Sequence, residues 1–157
     1  MKSELGPLGK TALIGHTGLV GSNLTRQFRF NSLYNSKNIH DIAGEHHDLL
    51  ICSGVSGTKW IANREPENDR AAISALLQQL EKTRADHLIL ISTIDVYENP
   101  NQVDERSPIN PDLLNSYGKH RHQFEQDVLS LFPDVLIARL PAIYGWNLRK
   151  NALYDLM

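Results

Sequence analysis

Three glycines that follow a short apolar run are the residues whose types and spacing first suggest chemistry. Gly15, Gly18 and Gly21 stand at three-residue intervals after residues 11–14, which are typical of a buried strand, and a helical pattern follows. Glycine lets the backbone bend tightly there and lets a pyrophosphate approach the main chain. The helix N-terminus adds unpaired N–H groups and a positive dipole end. This segment therefore predicts a dinucleotide site.

The spacing of these glycines leaves an alternative open. The better-known dinucleotide fingerprint is Gly-x-Gly-x-x-Gly, whereas this chain has Gly-x-x-Gly-x-x-Gly with Thr17 before the second glycine. An ordinary strand–turn–helix unit that binds no ligand has the same pattern.

Four motifs occur in an order that is informative. They are TGLVG at Thr17–Gly21, STIDVY at Ser92–Tyr97, YGKHR at Tyr117–Arg121 and RLPAIYG at Arg139–Gly145. In these motifs the chain resembles the extended short-chain dehydrogenases/reductases, the class of NAD(P)-dependent nucleotide-sugar epimerases and dehydratases, over nearly its whole length. The resemblance implies a doubly wound parallel sheet of the Rossmann type in three α/β/α layers. It also implies oxidoreductase or epimerase chemistry on a hydroxyl-bearing substrate, such as a sugar nucleotide or a related carbohydrate.

The same resemblance implies a reaction centre made of Thr93, Tyr117 and Arg121. Thr93 would hydrogen-bond a substrate oxygen, and Tyr117 would act as general acid or base on an alcohol that becomes a ketone. Free tyrosine has a pKa of about 10, so a base of this type needs a nearby cation. The family has a lysine four residues after the tyrosine, which also hydrogen-bonds the nicotinamide ribose. Arg121 keeps the charge and the helix face, but its planar fork is bulkier and does not readily release a proton.

The arginine leaves two functions open: a redox enzyme with a different cation, or a non-catalytic NAD(P)-binding sensor or scaffold. Asp95 stands where the family's dehydratases carry an acid. Ile94 occupies the position of their second acid, which argues against a standard dehydratase.

The resemblance also implies which residues contact the cofactor, most of them at the ends of predicted strands. They are Gly15, Thr17, Gly18, Leu19, Val20, Gly21, Ser36, Lys37, Asp41, Ile42, Cys52, Ser53, Gly54, Tyr117, Arg121, Leu140 and Pro141. No acid that could bind the ribose of NAD lies near 34–38, and Lys37 could pair with a 2′-phosphate. This favours NADP over NAD, the alternative being a solvated loop lysine. Cys52 is interpreted as a packing residue because nothing obvious activates it.

The elements that must position these residues alternate between strand and helix. Strands are predicted at 11–14, 48–52, 87–92 and 134–140, with a possible short strand at 32–34 and an extended piece at 39–42. Helices are predicted at 22–30, 68–83 and 114–131, the last with Phe124, Val128 and Leu131 facing inward. Continuously apolar strands are buried on both faces, and their alternation with helices favours a parallel sheet. Their carboxyl ends should lie along one rim, where ligands bind.

Composition narrows the function further. The chain has 157 residues, 41% of them hydrophobic and 22% charged, and a net charge of −2, as expected for a single globular domain over 1–157. No basic stripe indicates nucleic acid, no apolar run is long enough for a membrane, and no signal peptide is recognised, so a cytoplasmic location is expected. The seven histidines do not converge in sequence, and His46 and His47 are expected in a loop, so no metal is assigned.

Much of the family's C-terminal substrate-binding part is expected to be absent from this chain. The candidates for the pocket are therefore the segments Tyr97–Pro111 and Val55–Pro66, the latter with Lys59 and Trp60. A homodimer through the helix of Tyr117 is an expectation from the resemblance.

Overall fold

Five parallel strands form the central sheet of this computed structural model, which describes residues 9–146 and residue 148. The strands are β1 (Thr11–Ile14), β2 (Ser32–Tyr34), β3 (His46–Cys52), β4 (Arg84–Thr93) and β5 (Val135–Leu140). Their order is β2-β1-β3-β4-β5, and all neighbours run parallel. The sheet predicted from the apolar runs is confirmed, including the short strand at 32–34.

Four α-helices connect these strands. They are α1 (Leu19–Gln27), α2 (Lys59–Arg64), α3 (Pro66–Leu80) and α4 (Ser116–Leu131). Glu65 separates α2 from α3, and Pro66 opens α3 at a position where its missing N–H would have no helical partner. Asn115 caps α4, because its side chain accepts a hydrogen bond from the Gly118 N–H at 3.0 Å. Helix α4 thus begins immediately beside Tyr117.

The helices lie on both faces of the sheet, which gives the predicted three layers. One core cluster joins Ile14, Leu50 and Leu90 of the strands to Ile73 of α3 and Phe124 of α4. The opposite face buries a smaller cluster, in which Leu13, Leu49 and Ile51 pack with Leu24 of α1. Both clusters are built from the strands that the sequence marks as continuously apolar.

The order of the strands creates a switch point between β1 and β3. The chain leaves β1 towards β2 on one side and returns to β3 on the other. Because the loops after β1 and β3 depart in opposite directions, a crevice forms outside their carboxyl ends. This crevice is the natural ligand position in an open α/β sheet.

Three predictions of local structure are wrong, and one helix was not predicted. Ile39–Ile42 is a 3₁₀ helix rather than an extended piece, and His46 and His47 lie in β3 rather than in a loop. The sequence interpretation missed α2, which is too short for a clear apolar period. Leu131, expected to face inward, is 40% exposed because it lies at the last residue of α4, beyond the packed face.

Among residues 9–146 and 148, no helix combines the length and the apolar character that crossing a membrane requires.

Candidate functional site

The turn after β1 holds Gly15 against the loop that follows β3. Gly15 has a φ of +85°, in the left-handed region, and a Cβ there would lie 2.4 Å from the Ser53 carbonyl oxygen. Its N–H donates to the carbonyl of Tyr34 at 2.8 Å. Both the backbone conformation and the close approach therefore require glycine at this point, which lies at the switch point of the sheet.

The start of α1 offers an open turn to an anion. A Cβ on Gly21 would lie 2.2 Å from the Gly15 carbonyl oxygen, so α1 packs tightly on its own turn. Gly18 is the N-cap; no side chain caps the helix, and its first turn, Leu19 to Gly21, has no acidic residue. Thr17 and Gly18 are exposed. Such a turn, with uncapped N–H groups and no negative charge, fits a diphosphate.

The loop after β2 carries the residues expected near the adenosine end of a cofactor. The Asn35 amide nitrogen lies 3.1 Å from Nε2 of His16, so this loop contacts the glycine turn. The side-chain oxygen Oδ1 of Asn35 accepts the N–H of Lys37 at 2.8 Å. Ser36 and Lys37 are exposed, and residues 35–38 contain no carboxylate. The charge on this loop is therefore positive, as the sequence indicates.

Asp41 and Ile42 lie in the 3₁₀ helix that follows this loop. Asp41 is exposed and pairs with Nε2 of its neighbour His40 at 3.1 Å. Ile42 is fully buried in the larger core cluster, so its side chain is closed to a ligand.

The end of β3 is tightly packed. Cys52 is buried, and burial raises the pKa of its thiol to about 11, so the thiol stays protonated at neutral pH. The Ser53 hydroxyl donates to the Ile14 carbonyl at 2.8 Å, which joins β3 to β1. A Cβ on Gly54 would lie 2.9 Å from the side chain of Ile14. The packing interpretation of Cys52 is confirmed.

The end of β4 carries a connected polar group. The Thr93 hydroxyl accepts the N–H of Asp95 at 3.1 Å and donates to Oδ2 of Asp95 at 3.2 Å. The other carboxylate oxygen of Asp95 accepts from Nζ of Lys59 in α2 at 2.6 Å. Thr93, Asp95 and Lys59 therefore form one hydrogen-bonded row at the carboxyl edge of the sheet.

Tyr117 lies in the first turn of α4, close to this row. Its N–H donates to the Asn63 side chain of α2 at 2.9 Å. A Cβ on the adjacent Gly118 would lie 2.1 Å from the Asp95 carbonyl oxygen, so α4 begins directly against the end of β4. Thr93 and Tyr117, which the sequence separates by 24 residues, are thus brought to the same edge.

Arg121 is near Tyr117, but its donors point towards α3. Its guanidinium carbon lies 3.9 Å from the centroid of the Tyr117 ring. Nη1 donates to Oδ2 of Asp69 at 2.5 Å and to the Tyr117 carbonyl at 3.3 Å. Nη2 donates to Oδ1 of Asp69 at 2.8 Å and to the Ser56 carbonyl at 2.7 Å. Of its nitrogens, Nε makes no hydrogen bond within the described part of the chain.

Asp69 also contacts His120, whose Nδ1 lies 2.7 Å from Oδ2 of the carboxylate. Burial alone would raise the pKa of the Asp69 carboxyl, but the hydrogen bonds from Arg121 and His120 outweigh it and hold the pKa below its ordinary value. The Asp69 carboxylate is therefore charged at neutral pH, and its bonds to Arg121 and His120 tie α3 to α4.

A second buried network lies further along α4. Glu125 is completely buried, and its carboxylate accepts from the Ser92 hydroxyl at 2.5 Å and from Nη2 of Arg139 at 2.7 Å. Nη1 of Arg139 donates to the Tyr97 hydroxyl at 2.5 Å, which in turn donates to the Asp104 carbonyl at 2.8 Å. This network joins α4 and β5 to the loop after β4, beside the predicted contacts Leu140 and Pro141.

Some residues of the site were not predicted to act there. Asn63, Asp69 and Glu125 escaped the sequence interpretation because polar residues on helices are usually solvated, and only the packing of α2, α3 and α4 reveals their partners. Lys59 belongs to a predicted pocket segment, which the structure brings to the end of β4. Trp60 of the same segment is 59% exposed, with the Arg64 guanidinium 4.8 Å from its ring centroid.

A group with metal-ligand atoms lies at the opposite edge of the sheet. His46, Asp48 and Asp86 place their ligand atoms within 4.8 Å of one another near the starts of β3 and β4. Nε2 of His46 is already bonded to Oδ1 of Asp86 at 2.8 Å. The hydrogen bond between the exposed side chains of His46 and Asp86 accounts for two members of this cluster, and the Asp48 carboxylate accepts the N–H of Lys10.

Comparison with known proteins supports the fold. No protein-family model matches the chain, and no curated protein matches it. Among solved structures, dTDP-4-dehydrorhamnose reductase from Bacillus anthracis, in complex with NADP, matches 99% of this chain at 18% identity and a TM-score of 0.73. The orthologous reductase from Clostridium acetobutylicum matches 94% of the chain at 16% identity and a TM-score of 0.69.

UDP-glucuronic acid 4-epimerase from Bacillus cereus, in complex with NAD, matches 94% of the chain at 18% identity and a TM-score of 0.67. The chain spans only 59%, 58% and 61% of these three proteins. At such identities the likeness shows the Rossmann-type fold.

Proposed function

We propose that the chain is the dinucleotide-binding part of an NAD(P)-dependent reductase or epimerase that acts on a sugar nucleotide. The observation that carries the proposal is that two candidate sites, one for a diphosphate and one for the reaction, lie together at the carboxyl ends of the strands. The Gly15–Gly21 turn, uncapped and without negative charge, can receive a diphosphate at the switch point. Thr93 ends β4, the neighbour of β3, and α4 begins against that end with Tyr117 in its first turn.

In this proposal the chain's residues bind the cofactor and move one proton. The residues of the Gly15–Gly21 turn would hold the diphosphate, and Lys37, exposed on the loop after β2, would pair with the 2′-phosphate of NADP, so NADP is favoured over NAD. The nicotinamide, when bound, supplies or accepts the hydride. In the reducing direction Tyr117 gives its phenolic proton to the substrate oxygen, and in the oxidising direction it takes that proton back. Thr93 anchors the same oxygen.

The first experiment is a titration of the purified chain with NADPH and with NADH, monitored by nicotinamide fluorescence and by thermal shift. Saturable binding of either is expected, with NADPH the tighter. No binding of either at millimolar concentration would overturn the proposal. Turnover would then be measured with dTDP-4-dehydrorhamnose or with UDP-glucuronic acid, the compounds in the names of the similar structures.

Substitution of the tyrosine tests the chemical step. Tyr117→Phe is expected to lower kcat about 100-fold or more, because the proton donor is lost, while cofactor affinity stays unchanged. Tyr34→Phe, in the core, is the matched control and should leave kcat unchanged. An unaltered kcat in Tyr117→Phe would contradict the assignment.

A second function has its own support. Both terminal nitrogens of Arg121 already donate to acceptors of the protein, namely the Asp69 carboxylate, the Ser56 carbonyl and the Tyr117 carbonyl. A non-catalytic NAD(P)-binding sensor or scaffold would have no need of a cation at this position with donors open to the phenol or to a ligand. For such a protein the two cofactors bind, but none of the nucleotide sugars is turned over.

A further inference from the structure

Lys59 is a cation at the carboxyl end of β4 that the sequence motifs do not assign to the reaction. Its Nζ lies 2.6 Å from Oδ1 of Asp95, and the other oxygen of that carboxylate accepts from the Thr93 hydroxyl. Asp95 alone therefore separates Lys59 from the Thr93 hydroxyl, which would anchor a substrate oxygen.

Helix α2 directs Lys59 towards the start of α4. Lys59 and Asn63 are four residues apart, so they share one face of the helix. Asn63 accepts the N–H of Tyr117 from this face, and Lys59 binds Asp95, whose carbonyl packs on Gly118. One helix face thus contacts the Tyr117 backbone directly and is linked to Thr93 through Asp95.

The two cations near Tyr117 differ in what they can still bind. Arg121 is buried; both of its terminal nitrogens donate to protein acceptors, and its unpaired Nε is closed to solvent. The Lys59 side chain is 46% exposed and that of Asp95 33% exposed. An ammonium has three N–H donors, and the bond to Asp95 uses one of them. Lys59 can therefore offer donors to a ligand.

Resting on the function proposed above, we propose that Lys59 is the cation that faces the reacting groups. Its ammonium stabilises the negative charge that develops on the substrate oxygen as the proton passes between that oxygen and Tyr117. Asp95 holds the ammonium in place, and the proton transfer itself needs no further partner. Arg121 is then a positioning residue, which fixes the Tyr117 ring through its contact with Asp69.

Protection of lysines from acylation tests this assignment without relying on activity. The full chain is treated with a limiting amount of acetic anhydride, and the labelling rate of each lysine is read by peptide mass spectrometry. The labelling rates are compared for the protein alone, for the protein with saturating NADPH, and for the protein with NADPH and a nucleotide sugar, either dTDP-4-dehydrorhamnose or UDP-glucuronic acid. Lys37 reports occupation of the cofactor site. Lys119 is the matched control, since its side chain is 49% exposed and it is two residues from Tyr117.

Ligands that lie against Lys59 should slow its acylation several-fold and leave that of Lys119 unchanged. Protection of Lys37 without protection of Lys59 in either complex would overturn the role of Lys59 and leave the proposed function standing. The absence of any cofactor binding would overturn both proposals.

Variants separate a role in the reaction from a role in stability. Lys59→Met is expected to lower kcat/KM about 100-fold, as for the loss of one donor to a developing oxyanion, and Lys59→Arg should lose less. The thermal midpoint should hardly change, because exposed ion pairs contribute little to stability. Lys119→Met should retain full activity. Equal activity of Lys59→Met and Lys119→Met would contradict the proposal.

Discussion

At the scale of single residues, Arg121 donates hydrogen bonds to acceptors that could not be predicted from its position in the sequence. Its fork binds both oxygens of Asp69, and its second terminal nitrogen also reaches the Ser56 carbonyl. The Asp69 side chain is only 8% exposed, so solvent does little to weaken the pair. A guanidinium presents parallel donors to a carboxylate, which a single ammonium cannot do.

Loss of this arginine should destabilise the fold. Arg121→Met leaves the buried Asp69 carboxylate with His120 as its remaining side-chain partner, and we expect the free energy of unfolding to fall by about 3 kcal/mol. Urea unfolding at neutral pH measures the change. Arg64→Met, which removes an exposed pair with Glu65, is the control and should cost much less. Equal losses in the two variants would refute the structural role of Arg121.

At the scale of elements, the approach of α4 to β4 brings Tyr117 and Thr93 together. Gly118 makes this approach possible, since its missing side chain leaves room for the Asp95 carbonyl. The cap at Asn115 fixes where the helix starts. The position of the proposed reaction centre thus depends on the close approach of the α4 backbone to the backbone at the end of β4.

Gly118→Ala should move α4 away from the end of β4. The added methyl group would lie 2.1 Å from a backbone oxygen, and we expect a loss of about 1–3 kcal/mol from overpacking. The loss of kcat is expected to be proportionally larger than the loss of stability, because Tyr117 moves with the helix. Gly57→Ala is the control, since nothing lies within 4 Å of its added Cβ. The unfolding midpoint and kcat are measured for both variants. If Gly118→Ala equals Gly57→Ala in both quantities, the close packing of Gly118 on the Asp95 carbonyl is contradicted.

At the scale of the whole molecule, the buried His47 links stability to pH. Its side chain is fully buried beside the Tyr34 ring, and neither ring nitrogen has a hydrogen-bond partner among the described residues. Burial lowers its pKa, as do the positive charges of Lys10 and His46, while Glu45 and Asp48 oppose the change.

Stability should therefore fall as the solution is acidified. Below the ordinary histidine pKa of about 6.5 the unfolded chain takes up a proton that the folded chain still excludes, so the free energy of unfolding decreases with falling pH. This contribution is complete above that pH and is lost as the pH falls towards the lowered pKa of the folded state. Urea unfolding between about pH 7 and pH 5 measures it. His47→Leu should flatten the dependence, and an unchanged slope would exclude His47 as its source.

Much of the molecule could be predicted from its sequence, and the reasons lie in particular residues. Continuous apolar runs such as 49–52 and 88–91 define buried parallel strands, and Gly15 marks the turn at the switch point. The partners of Arg121 could not be predicted, because Asp69 is 52 residues away and lies on a helix of mixed polarity. Helix α2 has six residues, too few for a periodic signal. The family resemblance thus named Thr93, Tyr117 and Arg121 as candidates, which remains a prediction, but it did not indicate the direction in which the arginine points.

The fork of Arg121 also limits how this chain can change over evolutionary time. A mutation of Arg121 to lysine would keep a positive charge beside Asp69 but lose the planar donors that bind both carboxylate oxygens and the Ser56 carbonyl, so the intermediate sequence would be less stable. Loss of the carboxylate at position 69 would leave the buried guanidinium without a counter-charge, which also costs stability. Arginine at 121 and aspartate at 69 should therefore be inherited as a pair.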